Sequence, residues 1–126
     1  MRSAMQMTER RLGSVTVLDL NGTITIADDA GRLKDKIHSL IQQARTSVIL
    51  NLAEVSYIDS GGLGQLVASY ASLAKAGGAL KLLQLTKKNH DLLSITRLVT
   101  VFQTFDTEDE ALRSFASGPA PAAPTH

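Results

Sequence analysis

Apolar and polar positions at the start of the chain follow the alternating period of β-strands. Residues 5–12 and 15–20 are predicted as two strands that flank Gly13-Ser14, a dipeptide typical of a hairpin turn. Asn21-Gly22 is expected to break the second strand, and a further short strand is expected through Ile24 and Ile26. The pattern therefore predicts an antiparallel pair at the opening of the fold.

From residue 28 onward the apolar positions fall at spacings of three and four, the period of one helix face. The first helix has Asp28 or Asp29 as its predicted N-cap and an apolar face made of Ala30, Leu33, Ile37, Leu40, Ile41 and Ala44. A second helix is predicted from about 61 to 76, and Gly77-Gly78 ends it. We expect this helix to pack on the sheet through Leu63, Leu66, Val67 and Tyr70.

Compact runs rich in apolar and β-branched residues alternate with these helices. Residues 47–52 are predicted as a strand buried on both faces in the interior of the sheet, and residues 80–85 as another core strand. A helix is predicted over 89–98 and a short edge strand at 101–102. The capping-box spacing of Thr107 and Glu110 opens a last helix.

The order of these elements predicts an α/β fold. Alternation of strand and helix after residue 45 indicates crossover units with parallel strands. We therefore expect a single domain over residues 1–116, with one mixed sheet (an opening antiparallel hairpin plus parallel strands) and about four packed helices. Residues 117–126 contain all three prolines of the chain and are expected to form a disordered tail.

Composition and charge narrow the possible functions. The formal net charge is +1, the charges are interspersed, and only 4% of residues are aromatic, which disfavours nucleic-acid binding. No apolar run has the length of a membrane span, and the start of the chain does not resemble a signal peptide. Cysteine is absent, which removes disulfides and thiolate chemistry and is typical of a cytoplasmic protein. The three histidines lack metal-ligand spacing, and we predict no metal or cofactor.

The segment with the clearest chemistry follows the predicted central strand and reads Asp59-Ser60-Gly61-Gly62-Leu63-Gly64. It places Ser60 at the start of a helix, where free N–H groups and the helix dipole favour a negative group such as phosphate. The glycines leave the hydroxyl accessible to another protein. An equally open interpretation is structural: Asp59 or Ser60 is the N-cap, and the glycines form a tight turn against the sheet.

A longer stretch around this segment resembles a known family. Leu50-Asn51-Leu52, followed by Ser56-Tyr57-Ile58 and then residues 59–64, is similar to the signature of STAS domains of the anti-sigma factor antagonist type. In that family a strand of the type L-N-L or L-D-L leads to D-S-[ST]-G-L-G, and the serine after the aspartate is phosphorylated. The resemblance covers residues 8–115 in family order, and it implies that Ser60 is the phosphoacceptor.

The resemblance also implies partners and a mechanism. The unphosphorylated protein would bind a serine-kinase anti-sigma factor with a GHKL-type fold, and the protein phosphorylated on Ser60 would release it. A PPM-type serine phosphatase would reset the switch. Residues 59–64 would form the switch and partner-binding loop, together with exposed neighbours such as Gln65 and Ser69. The protein would be a cytoplasmic regulator and not an enzyme, without direct contact to nucleic acid and without membrane insertion.

Two departures from the family pattern concern the partner surface. The position after the phosphoacceptor is usually Ser or Thr and here is Gly61. The family often has acidic residues after the glycine of the second strand, and here that stretch reads Gly22-Thr23-Ile24-Thr25. The alternative interpretation is therefore a STAS regulatory subunit of another system, such as a lipid-transport complex, without sigma-factor output.

The sequence gives less support to an enzymatic role for the same serine. Asp59-Ser60-Gly61-Gly62 echoes the nucleophile segment of trypsin-like proteases, but Ile58 and Leu63 replace that segment's flanking Gly and Pro. The chain is also far too short for that fold. A nucleotide-binding loop would need the lysine of G-x-x-x-x-G-K-[ST] or the order G-x-G-x-x-G, and the segment has neither.

Overall fold

The computed structural model of the chain describes residues 5–25 and 30–116. Five strands and four α-helices follow one another in this part, with a short 3-10 turn at Leu98–Thr100. The elements are β1 (Met5–Leu12), β2 (Val15–Ile24), α1 (Ala30–Gln42), β3 (Ser47–Ile58), α2 (Ser60–Lys75), β4 (Ala79–Leu83), α3 (Lys87–Ile95), β5 (Gln103–Phe105) and α4 (Glu108–Ala116).

The strands form one mixed sheet in the order β1-β2-β3-β4-β5. β1 and β2 pair antiparallel, and every later pair is parallel. The predicted fold class is confirmed, as is the prediction that the strand at 47–52 lies in the interior of the sheet. Because β2, β3 and β4 are parallel, their carboxyl ends and the helix starts that follow them lie along the same edge.

The two faces of the sheet bury different amounts of apolar surface. One face carries the main core, where β2, β3 and β4 alternate inward-pointing leucine and valine side chains against the helices; α2 contributes Leu63, Leu66 and Leu73. Val67 and Tyr70 pack partly buried on the same cluster, which confirms the predicted face of this helix. α4 covers a smaller cluster on the other face, formed by Val15, Val17, Ile49, Leu83 and Ala111.

The second strand continues where the sequence predicts a break. β2 runs through Asn21-Gly22 to Ile24, because β3 adapts to it: β3 gains one residue on β2 between Asp19 and Asn21, and another between Gly22 and Thr23. Bulges of this kind bend a strand without ending the ladder. The separate short strand predicted through Ile24 and Ile26 is therefore wrong as to Ile24, and Ile26 lies outside the described residues.

Side chains of β3 stabilise both bulges. At the first, the Asn51 Oδ1 accepts a hydrogen bond from the Ala53 N–H at 3.1 Å, and its Nδ2 donates to the Asp19 carboxylate at 2.8 Å. At the second, the Ser56 hydroxyl donates to the Gly22 carbonyl oxygen at 3.2 Å. β3 therefore reaches Ile58, well beyond the 47–52 that its apolar run predicts.

Smaller differences from the sequence prediction have local causes. The Thr86 side chain caps α3 by accepting from the Asn89 N–H at 3.2 Å, so this helix begins at Lys87 rather than 89. It ends at Ile95 because the backbone turns left-handed at Arg97, with a φ of 65°. Phe102, predicted as strand, is instead a buried core residue whose ring meets Tyr70 edge-on, and β5 follows it.

Some predictions fall on other parts of the chain. Asp28 and Asp29, the predicted caps of α1, and the predicted tail 117–126 lie outside the described residues. The domain limits 1–116 and the disordered tail therefore remain predictions. Within residues 5–25 and 30–116, the helices are all too short or too polar to cross a membrane.

Candidate functional site

Ser60 is the first residue of α2 and is exposed. The residue before it, Asp59, is the N-cap: its backbone is extended, and its Oδ1 accepts a hydrogen bond from the Gly62 N–H at 2.7 Å. The sequence left open whether Asp59 or Ser60 is the N-cap of this helix, and the structure shows that it is Asp59. Since another side chain supplies the cap, Ser60 is not required as the cap, and it stands exposed at the positive end of a 16-residue helix.

Gly62 lies directly against the end of β2. A Cβ at this position would stand 2.0 Å from the carbonyl oxygen of Ile24, far inside van der Waals contact. The Asp59 N–H also donates to the same carbonyl at 3.2 Å. The start of α2 is therefore fixed to the end of β2 through backbone contacts that only a glycine at 62 permits.

The other members of the segment divide by exposure. Leu63 is buried in the main core with 8% of its surface exposed, and its N–H donates to the Asp59 carbonyl at 2.8 Å. Gly61 is half-buried. Gly64 is exposed, and a Cβ there would meet nothing within 4 Å. The structure thus brings residues 59–64 together as one helix start with a buried underside and an outer surface at Ser60 and Gly64.

The two neighbours expected to extend this exposed surface do not both do so. Ser69 is buried, with 3% of its surface exposed, so its predicted exposure is wrong. Gln65 is half-buried, and within the described part of the chain its Oε1 is buried without a hydrogen-bond partner. Both residues lie one turn apart on the side of α2 that faces α1, where they line a cleft of about 120 Å³.

A second cleft, which the sequence does not predict, is lined in part by Tyr57 and Ile58, the two residues that precede Asp59. It has a volume of about 210 Å³ and runs between the end of β3 and α3. Tyr57 and Ile95 line it and keep 44% and 80% of their surfaces exposed. The Lys88 Nζ stands 5.1 Å from the centre of the Tyr57 ring. Helical periodicity treats Ile95 as one more core position, which is why sequence reasoning missed this surface.

Asn89 fixes α3 beside the site. Its side chain is 1% exposed, and its Nδ2 donates to the Val55 carbonyl oxygen at 2.9 Å. That oxygen lies on a part of β3 that β4 does not reach, because the pairing of β3 with β4 ends at Asn51. The Asn89 side chain therefore takes the place of a strand partner for the Val55 carbonyl, and it holds α3 against the edge of β3 that β4 leaves unpaired.

An ion-pair network occupies the opposite face of the sheet. Arg10 donates two hydrogen bonds to the Asp19 carboxylate, at 2.6 and 2.9 Å, and two to Glu108 at the start of α4, at 2.7 and 3.3 Å. The Arg10 guanidinium lowers the pKa of Asp19, with a further contribution from the Asn51 amide. The asparagine of the Leu50-Asn51-Leu52 motif thus belongs to this network and to the β3 bulge, not to the surface around Ser60.

Ser60 is an exposed serine at a helix N-terminus. Its hydroxyl is accessible, and the helix N-terminus would favour an added phosphate. A nucleophilic serine needs a base within hydrogen-bond reach. Among residues 5–25 and 30–116, the two histidines, His38 and His90, are exposed on α1 and α3, and no hydrogen bond joins either of them to Ser60.

Comparison with known proteins identifies a family model and relatives that match this chain. The model of the STAS domain family matches residues 6–111. The anti-sigma-B factor antagonist of Bacillus subtilis is 38% identical over 66 residues, which are 52% of this chain and 60% of that relative. The match thus spans less than two thirds of the relative's length.

Two solved structures have the same fold. The crystal structure of TM1081 from Thermotoga maritima superposes with a TM-score of 0.80 at 26% identity, covering 86% of this chain and 92% of TM1081. A sulfate transporter family protein from Wolinella succinogenes superposes with a TM-score of 0.72 at 24% identity, covering 82% and 85% of the two chains. The fold is therefore shared by proteins with different names and contexts.

Proposed function

This chain belongs to the STAS domain family, and from that membership we propose that it is an anti-sigma factor antagonist that switches partners through phosphorylation of Ser60. The unphosphorylated protein binds a serine-kinase anti-sigma factor and thereby frees a sigma factor. Phosphorylation of Ser60 by that kinase releases the complex, and a PPM-type phosphatase restores the binding form. The protein acts in the cytoplasm and is a substrate and binding partner, not an enzyme.

One observation carries this proposal: an exposed serine stands at the first position of a helix whose start is fixed to the sheet. The Asp59 cap and the contact of Gly62 with Ile24 hold that start in place, so a phosphate can be added without a change of fold. It brings a charge of about −1.5 to −2 to a small surface. Such a charge opposite acidic or apolar groups of a partner weakens binding strongly.

The similarity to an anti-sigma-B factor antagonist supports the identity of the partner class. The test uses kinase-type anti-sigma factors from the same genome, purified and incubated with this protein and ATP. Mass spectrometry should find one phosphate on Ser60, and Ser60→Ala should bind the kinase with or without ATP. Ser56→Ala is the matched control, since Ser56 is also exposed and lies four residues earlier. Phosphate on Ser56 instead would refute the site.

The alternative is a STAS subunit of another system, such as a lipid-transport complex. The observation in favour of this alternative is that a sulfate transporter family protein has the same fold. In that case no kinase-type protein would bind, and Ser60→Asp would behave like the wild type in every binding assay. Co-purification with a transporter component from the same genome, unaffected by ATP, would then identify the client.

A further inference from the structure

The cleft between β3 and α3 has the properties of a contact surface. Its floor is formed by Ile58 and Leu92, and Tyr57 and Ile95 stand at its mouth. Ile95, at 80% exposure, is the most exposed large apolar residue in the described part of the chain. Apolar side chains displayed together around a concave surface are typical of a binding site for an apolar group.

The charged side chains beside the cleft are not all paired. Asp91, which also lines it, is paired with Lys87 in an exposed ion pair of 3.1 Å. Lys88 stands over the Tyr57 ring, and no carboxylate within residues 5–25 and 30–116 forms an ion pair with it. An apolar cleft with an unpaired cation at its rim is complementary to an apolar side chain that has a carboxylate next to it.

The cleft is continuous with the phosphoacceptor segment. Ile58 in its floor directly precedes Asp59, and the start of α3 follows β4 on the same edge of the sheet as the start of α2. A protein that covers Ser60 from outside would therefore approach Tyr57 and Lys88, and the cleft that they line extends to Ile95 at the far end of α3. This argument rests on the proposed function, because it takes the kinase as the protein that contacts Ser60.

We infer that this cleft is the anchoring site for the kinase-type partner and that it receives an apolar side chain flanked by a carboxylate, which pairs with Lys88. Binding then has an apolar component at Ile95 and an electrostatic component at Lys88. Phosphate on Ser60 acts on the second component, since it places negative charge near the partner's carboxylate.

The test measures affinity of the unphosphorylated protein for its kinase-type partner by calorimetry. Ile95→Asp and Lys88→Glu should each weaken binding about tenfold or more, and Lys88→Arg should retain it. Leu12→Asp is the control, because Leu12 is also an exposed apolar residue. It is the last residue of β1, at the β1–β2 hairpin, and the end of β2 that contacts α2 is the opposite one. The contribution of Lys88 should shrink as salt is raised, as expected of a charge pair at a rim.

Three outcomes separate the possibilities. If the wild type binds and Ile95→Asp and Lys88→Glu bind within twofold of it, the cleft is not the anchoring site, although the proposed function stands. If the wild type binds no kinase-type partner, the proposed function itself fails. If sedimentation shows a wild-type dimer and an Ile95→Asp monomer, a second copy of this chain occupies the cleft, and the inference is overturned.

Discussion

Gly62 and the carbonyl of Ile24 are so close that no side chain could stand between them. A Cβ at 62 would lie 2.0 Å from the carbonyl oxygen and 2.7 Å from its carbon, and both belong to backbone that cannot rotate away. Two residues further along the same helix, Gly64 faces open space. Glycines that look equivalent in the sequence therefore have different physical roles.

Alanine at these two positions should accordingly have opposite effects on stability. Gly62→Ala forces α2 away from β2, and we expect a loss of about 1–3 kcal/mol, as for other overpacked sites. Gly64→Ala adds a methyl group to an exposed helical position and should stabilise the fold by up to about 1 kcal/mol. Urea denaturation of both variants checks the pair. A Gly62→Ala variant as stable as the wild type would show that Ile24 does not constrain position 62.

The Asp59 cap gives a second prediction. Asp59→Ala removes the acceptor for the Gly62 N–H, and the free energy of unfolding should fall by about 0.5–2 kcal/mol. Asp59→Asn keeps a side-chain oxygen at the same place and should lose much less. Thermal denaturation compares the two variants, with Ser60→Ala as a control that should leave stability nearly unchanged. A large loss in Ser60→Ala would mean that the serine also helps to cap the helix.

Asn89 should be more important for stability than an ordinary helix residue. Asn89→Leu leaves the buried Val55 carbonyl without its hydrogen bond, and an unsatisfied buried polar group costs about 1–3 kcal/mol. Asn89→Asp retains oxygen but places an acceptor against an acceptor, so it should be at least as damaging at neutral pH. Exposed Lys87→Leu in the first turn of the same helix is the control. Denaturation midpoints that are the same for all variants would contradict the role of Asn89.

The Arg10–Asp19 pair predicts a specific response to acid. The Arg10 guanidinium lowers the folded-state pKa of Asp19, so the pair stabilises the fold fully above the unfolded pKa of about 3.9 and loses that contribution as the pH falls through the lower folded value. Asp19→Asn should therefore show a flatter decline of melting temperature below about pH 4. The change should be modest, since the two side chains are 37% and 30% exposed.

Asp91→Asn is the matched control for this pH series. Its ion pair with Lys87 is highly exposed, with 55% of the Asp91 side chain accessible, and screening leaves such pairs little effect on stability. The melting curves of Asp91→Asn should follow the wild type at every pH. An acid response in Asp19→Asn identical to that of the wild type would show that other carboxylates control the decline, with Glu9 the first to examine.

The order of strands and helices could be predicted from the sequence because each element keeps its own apolar period. Residues 47–52 and the face of α2 are read correctly for this reason. The continuation of β2 through Asn21-Gly22 could not be predicted, since it depends on extra residues in the neighbouring strand, β3. Local turn signals describe what a dipeptide prefers, and here the partner strand overrides that preference.

The candidate site divides in the same way. Its start is visible in the sequence, because an aspartate, a serine and glycines at a strand-to-helix turn have few physical explanations. The surroundings of the site could not be predicted in this way. Ser69 was expected to be exposed and is buried, whereas Ile95 was expected on an apolar helix face and is exposed. Which side of a helix meets its neighbours depends on how the helices are arranged on the sheet, and periodicity alone does not contain that information.

Residues 52–58 of β3 extend past the last pairing with β4, and α3 lies over the edge that they expose, held by Asn89. An uncovered strand edge is a template onto which another chain can add a strand, and this is a common start of aggregation and domain swapping. α3, the helix that borders the cleft, thus covers a strand edge to which a second copy of the chain could otherwise pair. Conditions that loosen α3 while the sheet remains intact should therefore promote self-association before they promote unfolding.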